Sequence, residues 1–144
     1  TFLPHYLSNE LDRTNFMIGL GLAAVIGHIF PVFANFKGGK GVATLFGMIL
    51  TVQPVVAISC VGVFLLVLYL TRYVSLSSIL GALMLPVSVL WIWNEHEIMY
   101  RIFALLVAFL VIITHQKNIG KLLRGVESRI PIFKNRDKKK AKRP

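Results

Sequence analysis

Long apolar runs alternate with short polar stretches along the sequence. Read as helices at about 1.5 Å per residue, such runs approach the roughly 30 Å hydrocarbon thickness of a bilayer. The apolar positions predict helices at residues 16–33, 42–52, 54–70, a run that ends at Trp93, and residues 98–114. Residues 1–15 are richer in polar side chains and are predicted to form a loop. We therefore expect an all-α polytopic integral membrane protein, a bundle of about five short transmembrane helices.

Gln53 and Pro54 decide how the chain is expected to cross the membrane. A single helix over residues 42–71 would be about 45 Å long, well over the hydrocarbon thickness. Because proline ends or bends a helix, this dipeptide divides the stretch into two helices. The first, over residues 42–52, is either a short span or a re-entrant segment. We expect two crossings.

Two crossings would separate the charges. The basic side then holds Lys37, Lys40, Arg72 and the basic C-terminal residues, and the opposite side holds Glu10, Asp12, Glu95 and Glu97. This distribution follows the positive-inside preference, so the basic loops and the C-terminus are predicted to be cytoplasmic.

Composition favours a membrane protein over a soluble domain. Of the 144 residues, 56% are hydrophobic and 15% are charged, with a mean hydropathy of +0.70, whereas soluble domains carry about 25% charged residues. The net charge is +10, and 11 of the 16 lysines and arginines lie between His115 and Pro144. We expect a transmembrane domain over residues 1–130 and a basic cytoplasmic tail over residues 131–144, near anionic lipid headgroups. No nucleic-acid motif accompanies the charge, so membrane lipids are the expected partners and nucleic acid is not.

Residues 36–44, with the sequence FKGGKGVAT, carry the most distinctive chemistry. Lysine is unfavourable at membrane depth, so Lys37 and Lys40 must lie at an interface or face a polar cavity. The three glycines beside them let backbone N–H groups approach a ligand, and the following helix adds the positive end of its dipole. These features predict a phosphate cradle at the membrane surface. The spacing matches neither the Walker P-loop nor the dinucleotide fingerprint, which argues against nucleotide binding.

Two further polar clusters are expected on the same side as this loop. One is Arg72 with Ser75, Ser77 and Ser78, and the other is His115 with Asn118. His115 and Asn118 are three residues apart, so a helix would project them from one face. Hydroxyl and amide groups can donate hydrogen bonds to phosphate oxygens. Because no acidic pair is expected on this side, paired-carboxylate catalysis and a Ser-His-Asp triad are disfavoured.

The segments GHIFPVF at 27–33 and FKGGKGVAT at 36–44 closely resemble the central motif of the bacterial PlsY-type glycerol-3-phosphate acyltransferases. RYVSLSS at 72–78 and HQKNI at 115–119 resemble the later motifs of that family, in the right order. The resemblance implies a seven-helix family fold in a bacterial inner membrane. It also implies transfer of an acyl chain from acyl phosphate to the sn-1 hydroxyl of glycerol 3-phosphate, giving lysophosphatidic acid and phosphate. We expect no cofactor or metal, and a functional link to an enzyme that produces acyl phosphate.

The same resemblance assigns the site residues. The catalytic residues would be Lys40, His115 and Asn118, and the phosphate-binding residues would be Gly38, Gly39, Lys40, Gly41, Ser75 and Ser78. His115 is either a general base or a hydrogen-bond donor to phosphate, and we favour the donor role. The family's earlier motif, rich in Ser, Gly and Asn with a nearby Arg, has no match in residues 1–15. We therefore expect that the N-terminal part of the family domain is missing and that this chain alone is inactive.

The same residues allow plainer interpretations. His28 could bond the loop or a helix carbonyl, Lys37 could be a snorkelling lysine, and Arg72 could merely enforce topology. Ser75 and Ser78 could cap a helix. An alternative function is a transporter or channel subunit for anionic solutes, which would predict polar residues along the helix interiors. A non-catalytic lipid-binding scaffold would leave the glycine loop unexplained.

Overall fold

The computed structural model describes residues 10–31, 39–94 and 96–131, and the regular structure in these ranges is entirely helical. The helices are α1 (Glu10–Ile29), α2 (Val42–Val52), α3 (Pro54–Thr71), α4 (Val74–Val87), α5 (Ile98–Thr114) and α6 (Gln116–Leu123). A π-helical turn, Ser88–Ile92, continues α4. The predicted all-α fold is confirmed. Outside the described residues lie Lys37 and Gly38 of the glycine loop, Glu95, the chain before Glu10 and the tail beyond Pro131.

The predicted break at Gln53 is confirmed. Gln53 has extended backbone torsions, φ −143° and ψ 90°, and it separates α2 from α3. Pro54 stands in the first turn of α3, where a missing N–H removes no helical hydrogen bond. The chain therefore forms two short helices that pack against each other rather than one long helix.

Helix α1 begins earlier than the sequence pattern predicts. It starts at Glu10 instead of Phe16, so the prediction of a loop was wrong for residues 10–15. Five of these six residues are polar, but polar residues without proline or glycine do not stop a helix. At its other end α1 stops at Ile29, just before Pro31, because a proline disfavours helical torsions in the residue ahead of it.

Among the described helices, α3 and the continuous segment Val74–Ile92 are long and apolar enough to cross a membrane. Helices α5 and α6 together make a third candidate, with a bend of 61° between them. Only 11% of α3 is buried, against 50% of Val74–Ile92, so α3 faces outward and α4 runs through the centre. The apolar part of α1, Arg13–Ile29, and helix α2 are shorter than these segments, and the count of about five crossings stays a prediction.

Close packing around α4 depends on a small residue. A Cβ added to Gly81 would lie 3.1 Å from the Cys60 carbonyl oxygen and 3.2 Å from Phe64 Cβ. Glycine at this position therefore lets α3 approach α4 closely. Helix α5 packs against α4 as well. The cavity described below is lined by residues of α4 and of its neighbours α3 and α5.

Candidate active site

The glycine loop leads into α2 and places Lys40 at the polar end of this cavity. The Gly39 N–H donates to the His28 carbonyl oxygen at 3.2 Å, which ties the loop to the end of α1. A Cβ on Gly39 would overlap the His28 ring, and Gly41 has φ +74°, a left-handed torsion that favours glycine. The path of the loop therefore requires both glycines. His28 holds the loop, which is one of the roles considered for it from the sequence.

Lys40 contacts Asn118 across the gap between the glycine loop and α6. The Lys40 ammonium donates to Asn118 Oδ1 at 2.6 Å. The Asn118 amide nitrogen in turn donates to Glu127 Oε1 at 2.9 Å. Because Asn118 is held from both sides, the positions of the lysine and the carboxylate are coupled.

Ser75 joins the same network from α4. Its buried hydroxyl donates to Glu127 Oε1 at 2.6 Å. The N-cap of α4 is Tyr73, without a side-chain capping bond, so Ser75 does not cap the helix. Ser78 is buried further along α4 and lines the cavity. The three polar clusters that were predicted to share one side are therefore in contact.

Glu127 is the member of this network that the sequence pattern did not reveal. The argument that a Ser-His-Asp triad would lack its acid on this side overlooked Glu127, although the described network holds one carboxylate and not a pair. After α6 the chain reverses at Gly125, which has φ +69°, and the N–H groups of Gly125 and Val126 bond to the carbonyls of the last helical turn. Glycine just after a helix is a known signal for such a reversal. That signal could have brought Glu127 back toward the site.

The segment of residues 124–131, which we call the C-terminal strap, holds Glu127 in place. The Ile130 N–H donates to the Arg72 carbonyl oxygen at 2.9 Å. Arg129 Nε donates to the Tyr73 hydroxyl at 2.9 Å, and its guanidinium lies 5.0 Å from the centre of the Tyr73 ring. The strap is thus fastened to the corner between α3 and α4. The backbone of Arg72 makes the turn between the two helices, with a left-handed φ of +62°.

The surroundings of Glu127 favour its ionised form. The pKa of its carboxyl is lowered chiefly by the hydrogen bond from Ser75, then by the one from Asn118, and further by the charges of Lys121 and Lys40. Two donors therefore converge on one carboxylate oxygen, with two ammonium groups acting on the same charge. In the structure, the anion that these groups bind is the Glu127 carboxylate.

His115 lies at the junction of α5 and α6 and is 1% exposed. Its Nδ1 is 2.8 Å from the Val111 carbonyl oxygen. Because a carbonyl only accepts hydrogen bonds, Nδ1 carries the proton in this contact, and Nε2 is the ring nitrogen left for chemistry. The described contacts of the ring are with Val111 and Thr114 and not with Glu127, so they do not form a Ser-His-Glu triad.

These polar residues line one end of a cavity of about 710 Å³. The polar end comprises His28, Lys40, Ser75, Ser78, His115, Asn118 and Glu127. The remaining wall is apolar and is built by α2, α3, α4 and α5, with side chains such as Leu45, Val61, Phe64 and Val107. A cavity divided in this way suits a molecule with an anionic head and a hydrocarbon chain.

The predicted site residues that the structure describes lie around this polar end. Lys40, Gly41, Ser75, Ser78, His115 and Asn118 line the cavity, and Gly39 adjoins it beside the His28 ring. Gly38 lies outside the described residues. Within the described ranges, no three His, Cys, Asp or Glu side chains are grouped as a metal site requires. The residues brought together are hydrogen-bond donors, a histidine and one carboxylate.

Comparison with known proteins gives concordant matches. A family model described as glycerol-3-phosphate acyltransferase matches residues 1–125. The chain is similar to the glycerol-3-phosphate acyltransferase of Fusobacterium nucleatum, with 40% identity over 89% of this chain and 66% of the relative. It is also similar to that of Pasteurella multocida, with 42% identity over 89% of this chain and 62% of the relative.

Two crystal structures of PlsY, an integral membrane glycerol 3-phosphate acyltransferase, are similar in fold. The glycerol 3-phosphate form has 38% identity and a TM-score of 0.74, covering 79% of this chain and 56% of that protein. The lysophosphatidic acid form has the same identity and TM-score and is covered to 57%. The chain thus spans a little under two thirds of the length of these curated relatives, and less of the solved structures.

Proposed function

Because the chain belongs to the glycerol-3-phosphate acyltransferase family, we propose that its protein transfers an acyl chain from acyl phosphate to the sn-1 hydroxyl of glycerol 3-phosphate. The products would be lysophosphatidic acid and phosphate. The observation that carries this proposal is the divided cavity of about 710 Å³ in an all-helical integral membrane protein. Its polar end suits the two phosphate groups, and its apolar wall suits the acyl chain.

The substrate phosphates are proposed to bind at Lys40, Ser75 and Asn118. All three side chains carry donor hydrogens, on an ammonium, a hydroxyl and an amide nitrogen. Lys40 and Asn118 keep N–H groups beyond those in their internal bonds, whereas the Ser75 hydroxyl would exchange its bond to Glu127 for one to phosphate. Phosphate oxygens accept from groups of these types, most strongly from charged ones. The start of α2 adds a helix dipole that favours an anion. The further phosphate-binding residues that we propose are Gly38, Gly39, Gly41 and Ser78.

The proposed chemistry is direct acyl transfer. The sn-1 hydroxyl oxygen attacks the acyl carbonyl carbon and forms an ester bond, the bond from that carbon to the phosphate oxygen breaks, and phosphate leaves. His115 Nε2 accepts the hydroxyl proton, since Nδ1 holds its own proton against the Val111 carbonyl. This hydrogen bond is our reason for preferring the base role to the donor role favoured from the sequence. Lys40 and Asn118 stabilise the charge on the leaving phosphate.

We also propose that the polar end of the cavity faces the cytoplasm of a bacterium, in its inner membrane. The positive-inside preference supports this orientation, because basic residues are concentrated in α6 and beyond it. Glycerol 3-phosphate would reach the site from water. Acyl phosphate, with its hydrocarbon chain, would reach it from the bilayer after release by the enzyme that produces it.

The test is an acyl-transfer assay with acyl phosphate and labelled glycerol 3-phosphate on membranes that contain the full-length protein, because this chain alone is expected to be inactive. Lysophosphatidic acid and inorganic phosphate should appear in equal amounts, and acyl-coenzyme A or acyl carrier protein should not replace the donor. Lys40→Ala should lower kcat/KM by about 100- to 1,000-fold, the usual loss for a charge-stabilising donor. Lys117→Ala is the control, because Lys117 is exposed and adjacent to Asn118 but lines no part of the cavity. Full activity of Lys40→Ala would remove the basis of the proposal.

His115→Gln separates the two roles of the histidine. If Nε2 takes the hydroxyl proton, kcat should fall by about 100- to 10,000-fold, and the acid limb of the pH profile of kcat should disappear. A raised KM with an unchanged profile would instead assign His115 to phosphate binding. His96→Gln is the matched control, since His96 is an exposed histidine between α4 and α5.

A further inference from the structure

The apolar part of the cavity reaches a limited depth. Its deepest lining residues are Ile49 of α2, Cys60 of α3, Leu85 of α4 and Val107 of α5. Their exposures are 6%, 9%, 0% and 1%, so they stand at the edge of the packed core. Along α4, the rise from Ser75 at the polar end to Leu85 is about 15 Å at 1.5 Å per residue.

A packed layer that does not line the cavity lies beyond these residues. It comprises Val56, Ala57, Val89, Phe103 and Ala104, each at most 2% exposed. The hydroxyl oxygens of Ser59 and Ser88 are 3.1 Å apart in this layer, and Ser59 also donates to the Val56 carbonyl oxygen at 2.7 Å. The hydrogen bond between Ser59 and Ser88 ties α3 to the π-helical turn below the cavity. A hydrocarbon chain in the cavity would therefore meet a closed floor.

We propose that this floor, with Cys60 and Leu85 at its surface, limits the length of the acyl chain that is transferred. The proposal rests on the acyl transfer proposed above. An acyl chain whose phosphate lies at the polar end has about 15 Å of apolar wall to cover. That depth is about half of the 30 Å hydrocarbon core of a bilayer, the thickness of one leaflet.

The limit should be sharp for longer chains and gradual for shorter ones. A longer chain must push into a close-packed layer or bend away from the wall, and dense cores resist added methylenes. A shorter chain only leaves part of the wall uncovered and loses apolar burial step by step. One methylene too many in an apolar pocket lowers kcat/KM by about 10- to 200-fold, whereas each missing methylene lowers it by only about fourfold.

The experiment measures kcat/KM for a series of acyl phosphates of increasing length. Cys60→Leu adds bulk to the floor and should lower kcat/KM for the longest good donor by about 10- to 200-fold, leaving short donors nearly unchanged. Leu85→Ala deepens the cavity and should extend acceptance to longer chains. The matched controls are Cys60→Ala, which adds no bulk, and Leu105→Ala, which truncates a leucine of α5 that is 53% exposed and does not line the cavity.

Leu85 is a core residue whose truncation can destabilise the protein. If Leu85→Ala does not fold, the length profile of Cys60→Leu tests the floor proposal by itself. An unchanged length profile in Cys60→Leu overturns the floor proposal, while transfer by the wild type still supports the function. If the wild type transfers no chain of any length, the proposed function fails instead.

Discussion

One carboxylate oxygen organises the donors of the candidate active site. Glu127 Oε1 accepts hydrogen bonds from Ser75 and Asn118, and Asn118 accepts one from Lys40. These contacts fix the directions of the groups that we propose to bind phosphate. Glu127 is therefore a positioning residue, whose effect on the reaction passes through the donors that it orients.

Glu127→Gln keeps the size of the side chain and removes its charge. We expect the two donors to be held less firmly and kcat/KM to fall by up to about 100-fold, the cost of a misplacement of about 1 Å. Ser128→Ala, at an exposed neighbour on the C-terminal strap, is the control and should have little effect. An acyl-transfer assay in which both variants match the wild type would exclude a positioning role for Glu127.

The stability of the C-terminal strap should depend on pH through the same group. The hydrogen bonds from Ser75 and Asn118 lower the pKa of the Glu127 carboxyl in the folded protein. Their stabilisation is therefore fully present above the unfolded pKa of about 4.3 and is lost as the pH falls through the lowered folded value. The difference in Tm between wild type and Glu127→Gln should shrink as the medium is acidified below about pH 4. A difference that stays constant from neutral to strongly acidic pH would contradict this assignment.

Site residues that stand in a local sequence motif could be recognised from the sequence, whereas Glu127 could not. Lys40, His115 and Asn118 stand in short polar segments between apolar runs, where their chemistry is evident. Glu127 reaches the site only because the chain reverses at Gly125 and the strap returns to α4. Its position depends on tertiary structure, which a one-dimensional pattern does not contain.

Some element boundaries could likewise be predicted from the sequence, and others could not. The break at Pro54 and the helix Ile98–Thr114 occur where they were predicted, because proline and the length of an apolar run act locally. The π-helical turn was not predicted. It is closed by a hydrogen bond from Trp93 N–H to the Ser88 carbonyl at 2.9 Å, shortly after Pro86. Helix packing around a proline decides such a turn, and the apolar pattern is the same with or without it.

Two glycines at the start and in the middle of α2 should respond oppositely to substitution. Gly41 has φ +74°, and a Cβ there would lie 3.3 Å from Ile29 Cδ1, so Gly41→Ala should destabilise the protein by about 1–2 kcal/mol. A Cβ on Gly47 meets nothing within 4 Å, so Gly47→Ala should stabilise it by about 0.5–1 kcal/mol. Thermal unfolding in detergent measures both changes. A Gly41→Ala protein as stable as the wild type would mean that the left-handed torsion of Gly41 is not required, and a destabilised Gly47→Ala protein would contradict the expectation for Gly47.

At the scale of the whole molecule, the polar network and the α4–α5 loop lie at opposite ends of α4. The network includes Ser75 in the first turn of α4, and the segment Val74–Ile92 then runs apolar to Asn94. At 1.5 Å per residue this segment is about 28 Å long, close to the thickness of the hydrocarbon core. Helix α5 returns to His115 and Asn118 at the first end. A membrane around α4 and α5 would therefore separate the candidate active site from Asn94.

This separation can be measured with single cysteines in a background without other cysteines. Asn94 and Lys117 are both exposed, so Asn94→Cys and Lys117→Cys should be accessible to a water-soluble thiol reagent without disturbing the core. On intact cells a membrane-impermeant reagent should modify Asn94→Cys and spare Lys117→Cys, because the basic end is proposed to be cytoplasmic. Permeabilised cells are the control and should show both sites modified. Modification of both residues from outside would mean that α5, which lies between them, does not cross the membrane. Labelling of Lys117→Cys alone would mean that the cavity opens to the outer side.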